Sequence, residues 1–281
     1  MKRKKHALRA MHKLPVYLVM GIHVLITAIP LYYVIINAFK GAKDIARNPM
    51  VLDFSRLTMK SVERAWQQLS FPQTFLNTLI LLVLSVSIMV IIGSLGGYAI
   101  VVIDDKVLKA FYTFAILVIT IPFQVVMVPM VLTLNAIGLS GTYIGTSLAF
   151  VALSMPLVIF LYTGFMRGLP KELSEAAFMD GSGFVRTYLS IYMPLMKTVT
   201  GTVLILRGTY VWNDLLVPLI TLRKGSMQPL VLRLKTFASV RLTSWDLIFG
   251  GTFLVTIPIL ILYLCMQRVF IRGIITGAVK G

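Results

Sequence analysis

The amino-acid sequence predicts an all-α integral membrane protein with six transmembrane helices. Three observations lead there. Of the 281 residues, 58% are hydrophobic and only 13% charged, against about 25% charged in a soluble domain, and the mean hydropathy is +0.88. The apolar residues gather in charge-free runs long enough to cross a bilayer, which takes about 20 residues of helix. Cations crowd the entrance to the first run, at Lys2, Arg3, Lys4, Lys5, Arg9 and Lys13. So few polar residues could not cover a soluble core. This argues against a cytosolic enzyme or a nucleic-acid module, despite the net charge of +17. Disorder requires low hydrophobicity and is equally disfavoured.

The elements follow in order. Residues 1–15 are a basic segment. The apolar stretch behind it, 16–38, is too long for the h-region of a signal peptide and has no small-residue cleavage site after it, so it reads as a retained first span. The second span is 74–103. A charge-free run over 110–166 is too long for one crossing, and the turn-rich patch from Asn135 to Gly141 divides it into spans 110–132 and 142–165. The fifth span, 198–222, is apolar apart from Arg207 and Asp214, and 247–267 is the sixth. The density of cations in residues 1–15 places the N-terminus in the cytoplasm by the positive-inside rule. Six crossings then put both termini and the loops 104–109 and 167–197 on that side. Basic residues beside spans meet anionic headgroups. On the outer side Arg223, Lys224, Arg233, Lys235 and Arg241 could also dock an acidic extracellular partner.

Within the spans, Pro30, Pro122, Pro129, Pro156, Pro218 and Pro258 each remove a backbone hydrogen bond. Membrane helices tolerate such breaks where neighbouring helices or a cavity satisfy the freed groups. Arg207 and Asp214 are the formal charges inside an expected span, and intramembrane charges are functional candidates by default. Seven residues apart on a continuous helix, they would share a face without touching. The alternative is that Arg207 reaches toward an interface and Asp214 lies near the outer end. His23 is expected to be an interhelical polar group, and the single cysteine, Cys265, a small buried hydrophobe. No metal-ligand cluster, P-loop or nucleophile–base pair is visible, so neither catalysis nor a bound metal or cofactor is expected.

The loop 167–197 is the most informative segment. Pro170 suits a first helical turn, and Glu172 and Glu175 complement the helix dipole behind it. Gly181 and Gly183 break the helix, and Ser182 could cap a second one. There Phe184, Val185, Tyr188, Leu189, Ile191 and Tyr192 recur at helical spacing as an apolar stripe, and Pro194 ends it and opens the fifth span. The expected product is a helix–turn–helix knob between two membrane helices, suited to a groove on a partner.

Glu175-Ala176-Ala177, then Gly181, then Ile191 to Pro194 resembles the EAA loop of permease subunits of binding-protein-dependent ABC importers. The resemblance implies that this loop is a coupling helix docked in a cleft of a cytoplasmic ATP-binding subunit. Glu175 would make a polar contact there, Ala176 and Ala177 would permit close approach, Gly181 would form the turn, and Ile191 and Pro194 would complete the motif. Phe75 to Leu79 at the start of the second span, Trp212-Asn213-Asp214 before Pro218, and the glycine-rich tail resemble the carbohydrate-uptake group, similar to the smaller permease of the maltose importer. Met193 stands where that family commonly has leucine, a conservative exchange. By the same resemblance, residues 16–281 form a type I importer transmembrane domain in a bacterial inner membrane. Trp212, Asn213 and Asp214 could line the pathway, and Gly277, Lys280 and Gly281 would reach the ATPase subunits.

The implied partners are two ATP-binding subunits, a homologous sister permease, an extracellular solute-binding protein facing the loop 223–246, membrane lipid and a sugar substrate. The implied mechanism is alternating access, since a hydroxyl-rich sugar cannot cross hydrocarbon without replacing its hydrogen bonds with water. The main alternative is an ion-coupled secondary transporter, which predicts inverted repeats and buried titratable groups. A receptor that moves no solute is a third possibility.

Overall fold

The structure, a computed structural model, describes the backbone of residues 2–238 and 244–278 and the side chains of residues 15–238 and 244–265. It is 82% helical. Among the described residues four helices are long and apolar enough to cross a membrane, and the number reaches six if each of two bent helix pairs is one crossing. The chain divides into two compact units, Met1–Ser70 with Leu234–Thr256, and Phe71–Arg233 with Ile257–Gly281.

In the first unit, α1 (Lys2–Ala38) is followed by α2 (Ala42–Arg47) and α3 (Lys60–Leu69). Most of α1 from residue 15 onward is exposed, as suits a helix that faces lipid. His23 is exposed with it, so it is not the interhelical polar group expected from the sequence. The end of α1 is anchored. Asn37 Nδ2 donates to the carbonyls of Tyr33 and Pro49 (2.8 and 2.9 Å), and buried Lys40 donates from Nζ to that of Asn48 (2.9 Å). Burial pushes the Lys40 ammonium below its ordinary range, with nearby Asp44 partly opposing the shift. Near the start of a later helix, Trp245–Ala278, Asp246 is almost fully buried and pairs with Arg64 at 2.7 Å. Tyr33 packs edge-on to Phe249. Farther along that helix is Cys265, which is exposed rather than buried.

In the second unit, α4 (Phe71–Val102), α5 (Lys106–Val118), α6 (Phe123–Ala136) and α7 (Tyr143–Met166) come first. Helices α4 and α7 form its core, with Met89, Tyr98, Phe150, Val158 and Tyr162 wholly buried. Their close approach depends on absent side chains. A Cβ at Gly97 would lie 2.8 Å from Tyr162 Cβ and 3.1 Å from the Thr163 backbone nitrogen. Small residues decide helix association in lipid, where apolar burial gives no net drive. Asp105 caps α5 through the N–H groups of Val107 and Leu108, and Thr142 caps α7 through that of Gly145.

Where the sequence leads one to expect an unbroken span over 110–132, the chain forms two helices bent by 113°. Pro122 has no N–H to continue the ladder, and Thr120 Oγ1 donates to the Leu117 carbonyl at 2.8 Å. After α7 the chain forms α8 (Glu172–Met179), then α9 (Phe184–Thr187), a π-helical turn Tyr188–Tyr192 and α10 (Met193–Leu195). A 73° bend leads into α11 (Lys197–Asn213). The expected fifth span, 198–222, is also interrupted. Asp214 leaves the helical conformation and accepts from the Val217 N–H at 2.7 Å, so it ends one helix and caps α12 (Leu216–Thr221). Beyond it lie α13 (Leu230–Leu234) and α14, the Trp245–Ala278 helix already described.

Candidate functional site

The segment from α8 to α10 begins at Lys171, whose side chain makes no cap bond. Glu172 and Glu175 occupy the first turn of α8 and complement its dipole. Ser174 and Ala177 are buried, while Glu175, Ala176, Phe178 and Met179 face outward. The helix stops in a two-bond motif. The Gly181 N–H donates to the Phe178 carbonyl (3.0 Å) and the Ser182 N–H to that of Ala177 (2.9 Å). Gly181 has φ +77°, a left-handed conformation in which a Cβ is costly. Gly183, not Ser182, precedes α9 as its N-cap, and no side chain satisfies the first N–H groups there.

The stripe expected over 184–192 divides in two. Tyr188 and Tyr192 are buried, while Val185 and Leu189 point away, 66% and 52% exposed. The extra residue in the π-helical turn follows from Pro194, which cannot donate to the Ser190 carbonyl. The Met193 N–H instead reaches back to Tyr188. The bend lies at Met196, just beyond the proline.

Tyr98 of α4 seats this segment. Its ring centroid lies 4.5 Å from Phe184, 5.3 Å from Tyr188 and 4.8 Å from Tyr192. Its hydroxyl donates to the Phe184 carbonyl at 3.0 Å, and one turn earlier Ser94 shares a hydrogen bond with the Tyr188 hydroxyl at 2.7 Å. A cavity of about 560 Å³ beneath α8 is lined by Asp104, Lys109, Arg167, Lys171, Glu175 and Tyr192, among others. The Lys109 ammonium, hydrogen-bonded to Asp104 at 2.8 Å, holds that carboxyl below the usual carboxylate range. Arg167 lies over the Tyr112 ring, 4.6 Å from its centroid.

The residues singled out in the sequence thus fall into separate places. Glu175, Ala176, Ala177 and Gly181 lie together on α8 and its turn, and Ile191 and Pro194 follow on the adjoining segment. Trp212 is buried, 6.0 Å edge-on from Phe75, while Asn213 is exposed and donates back to the Thr209 carbonyl at 3.0 Å. Gly277 is near the end of α14, and Lys280 and Gly281 lie outside the described residues. Among the described residues no group of His, Cys, Asp and Glu could hold a metal ion.

Two positioning residues were missed by sequence reasoning. Tyr98 is one, unmarked among many apolar residues. Buried Asn77 is the other, singled out only as part of the Phe75–Leu79 stretch and given no positioning role there. Its Nδ2 donates to the carbonyls of Ser226 (2.8 Å) and Gln228 (2.9 Å), and its Oδ1 accepts from the Tyr143 hydroxyl (2.8 Å) and Gln73 Nε2 (2.9 Å). Beside it Thr78 Oγ1 accepts from the Leu230 N–H at 3.0 Å. A lone asparagine in an apolar run was the available signal, since a buried amide must find partners.

Comparison with known proteins places this geometry. Residues 90–276 match the family described as binding-protein-dependent transport system inner membrane component. The melibiose/raffinose/stachyose import permease protein MelC of Bacillus subtilis is 30% identical over 257 residues, 90% of this chain and 91% of that one. The probable starch degradation products transport system permease protein AmyC of Thermoanaerobacterium thermosulfurigenes is 32% identical over 251 residues, 89% of this chain and 91% of that one. In fold, the chain is similar to a chain in the crystal structure of a bacterial ABC transporter involved in the import of the acidic polysaccharide alginate. The TM-score is 0.79 at 19% identity, covering 92% of this chain and 96% of the other. The chain therefore belongs to the binding-protein-dependent transport system inner membrane components, as a membrane-spanning permease of an importer of that kind and not an ion-coupled carrier.

Proposed function

We propose that this permease moves a sugar or oligosaccharide inward by alternating access, driven by two separate cytoplasmic ATP-binding subunits and fed by an extracellular solute-binding protein. A homologous sister permease completes the pathway. The observation that carries this reading is the α8–α10 segment. It presents Glu175, Ala176, Phe178 and Met179 outward on one side and rests on Tyr98 of α4 on the other. Such a body, gripped from outside, would pass its displacement to a core helix through packed rings. The sugar assignment is supported by relatives named for sugar import, MelC among them.

In this reading both termini and the loop 167–197 lie in the cytoplasm. Glu175 contacts the ATP-binding subunit, the small side chains of Ala176 and Ala177 let α8 approach it, Gly181 fixes the turn, and Ile191 and Pro194 hold the segment that leads to the bend. Asn213 and Asp214 line the pathway where α11 ends, and buried Trp212 backs them against Phe75. Gly277, Lys280 and Gly281 extend toward the ATP-binding subunits.

Two variants of the assembled transporter test the coupling. Glu175→Lys reverses a contact charge, and Gly181→Val places a branched side chain at a left-handed φ. Both are expected to insert normally, to lose sugar uptake in vesicles, and to leave ATP hydrolysis no longer stimulated by the loaded binding protein. Wild-type uptake in both variants would remove the coupling role.

A further inference from the structure

Arg207 is an intramembrane cation without a counter-charge. It is part of α11, its guanidinium 5.2 Å from the Tyr210 ring centroid, and its Nε is buried with no hydrogen-bond partner. Among the described residues it forms no ion pair with a carboxylate. Asp214, the acid nearest in sequence, is occupied in capping α12. Arg207 lines a cavity of about 570 Å³ whose other walls are apolar side chains such as Met130 and Leu153, with Thr133 the one hydroxyl. Close by in sequence to Thr133, Asn135 Oδ1 accepts from a second guanidinium, that of exposed Arg223, at 3.2 Å.

The volume suits a small organic ligand. A guanidinium between apolar walls, met by a ring face but by no carboxylate among the described residues, is costly. A carboxylate is the group that matches its planar fork of donors. We propose that this cavity selects an acidic sugar, one bearing a uronic-acid carboxylate. Arg207 takes the carboxylate, the apolar walls cover the C–H faces of the ring, and the Thr133 hydroxyl oxygen accepts a hydroxyl proton. The inference rests on the import reading above and narrows its substrate.

The test uses the whole transporter in vesicles, with ATP inside and its binding protein outside. Di- and trigalacturonate are compared with the neutral galactose counterparts. The wild type is expected to prefer the acidic sugars. Arg207→Gln should lower the acidic-to-neutral uptake ratio by about tenfold or more, as loss of a charge-assisted bond implies, and Arg207→Lys should restore part of it. ATP-driven uptake confined to neutral sugars in the wild type would overturn this inference alone. So would an unchanged ratio in Arg207→Gln. Failure of that variant to co-purify with the other permease would also overturn it, because Arg207 would then answer a carboxylate on a protein partner. Uptake that needs no ATP would instead overturn the import reading itself.

Discussion

The α4–α7 pair and the α8–α10 segment are built from the same residue types to opposite ends. In the pair, Met89, Tyr98, Phe150, Val158 and Tyr162 are wholly buried and the backbones meet over glycine. In the segment, aromatic rings are buried on one side while Phe178, Met179, Val185 and Leu189 are turned outward, Met179 at 87% exposure. Inside a bilayer an exposed leucine meets lipid and loses nothing, so fit alone holds helices together. If the α8–α10 segment lies in the cytoplasm, as proposed above, its exposed apolar side chains leave favourable burial unrealised. The first region covers its own core, whereas the second leaves apolar side chains uncovered.

The largest effect is expected where the pair is broken. Gly97→Leu puts a side chain into the space of Tyr162 Cβ and the α7 backbone, and backbone has no rotamer to yield with. Overpacking of a close core costs about 1–3 kcal/mol even where neighbours relax, and here they cannot relax without separating the helices. The permease should fail to accumulate as a folded membrane protein. Detergent extraction followed by size-exclusion chromatography would read this, and a monodisperse variant with an unchanged unfolding temperature would show that the packing is looser than described.

The sequence made some of this visible. The charge-free runs marked the long helices because lipid tolerates nothing else there. Gly181 stood out because a helix ending in a left-handed turn has few other residues to use. The turn patch before Thr142 followed from the same chemistry. Other features depend on tertiary neighbours. Pro122 announced a weak point but not a 113° bend, because the angle belongs to what packs on either side. Asp214 reads from the sequence either as a charge on a helical face or as a residue near the end of a span; it ends α11, a choice set by whether its carboxylate finds a free N–H. The stripe over 184–192 was legible as apolar, yet nothing local told buried Tyr188 from exposed Leu189. Tyr98 decides that, and it lies some ninety residues away in the chain.

Tyr98 is where the two regions meet, and graded changes there sharpen the contrast. Tyr98→Ala removes a fully buried ring and should cost about 3–5 kcal/mol, the range for deleting a core aromatic. Thermal unfolding of the purified transporter measures it. Tyr98→Phe keeps the ring and deletes only the bond to the Phe184 carbonyl, so its cost should fall to about 1 kcal/mol. If movement passes through this contact, Tyr98→Phe should lower stimulated ATP hydrolysis and uptake together while the unfolding temperature hardly moves. Equal stability loss in the two variants would mean that the ring is filler and the hydroxyl its only anchor.

The smallest effect on stability should come from the outward face. Val185 is 66% exposed, and its replacement by serine changes no buried contact around Tyr98. Exposed substitutions away from special features usually stay within about 0.5 kcal/mol, so the isolated permease should unfold as the wild type does. The assembled transporter should not behave as the wild type. A partner that covers this face would lose apolar burial worth about 25 cal/mol per Å², and the ATP-binding subunits should co-purify less readily with Val185→Ser than with the parent. Gly97→Leu and Val185→Ser then form a diagnostic pair, one losing the fold before any partner is involved and the other losing a partner with the fold intact. Undiminished co-purification with Val185→Ser would place the docking surface on the α8 side alone, around Glu175 and Met179. The exposed face of α9 would then be free of any partner.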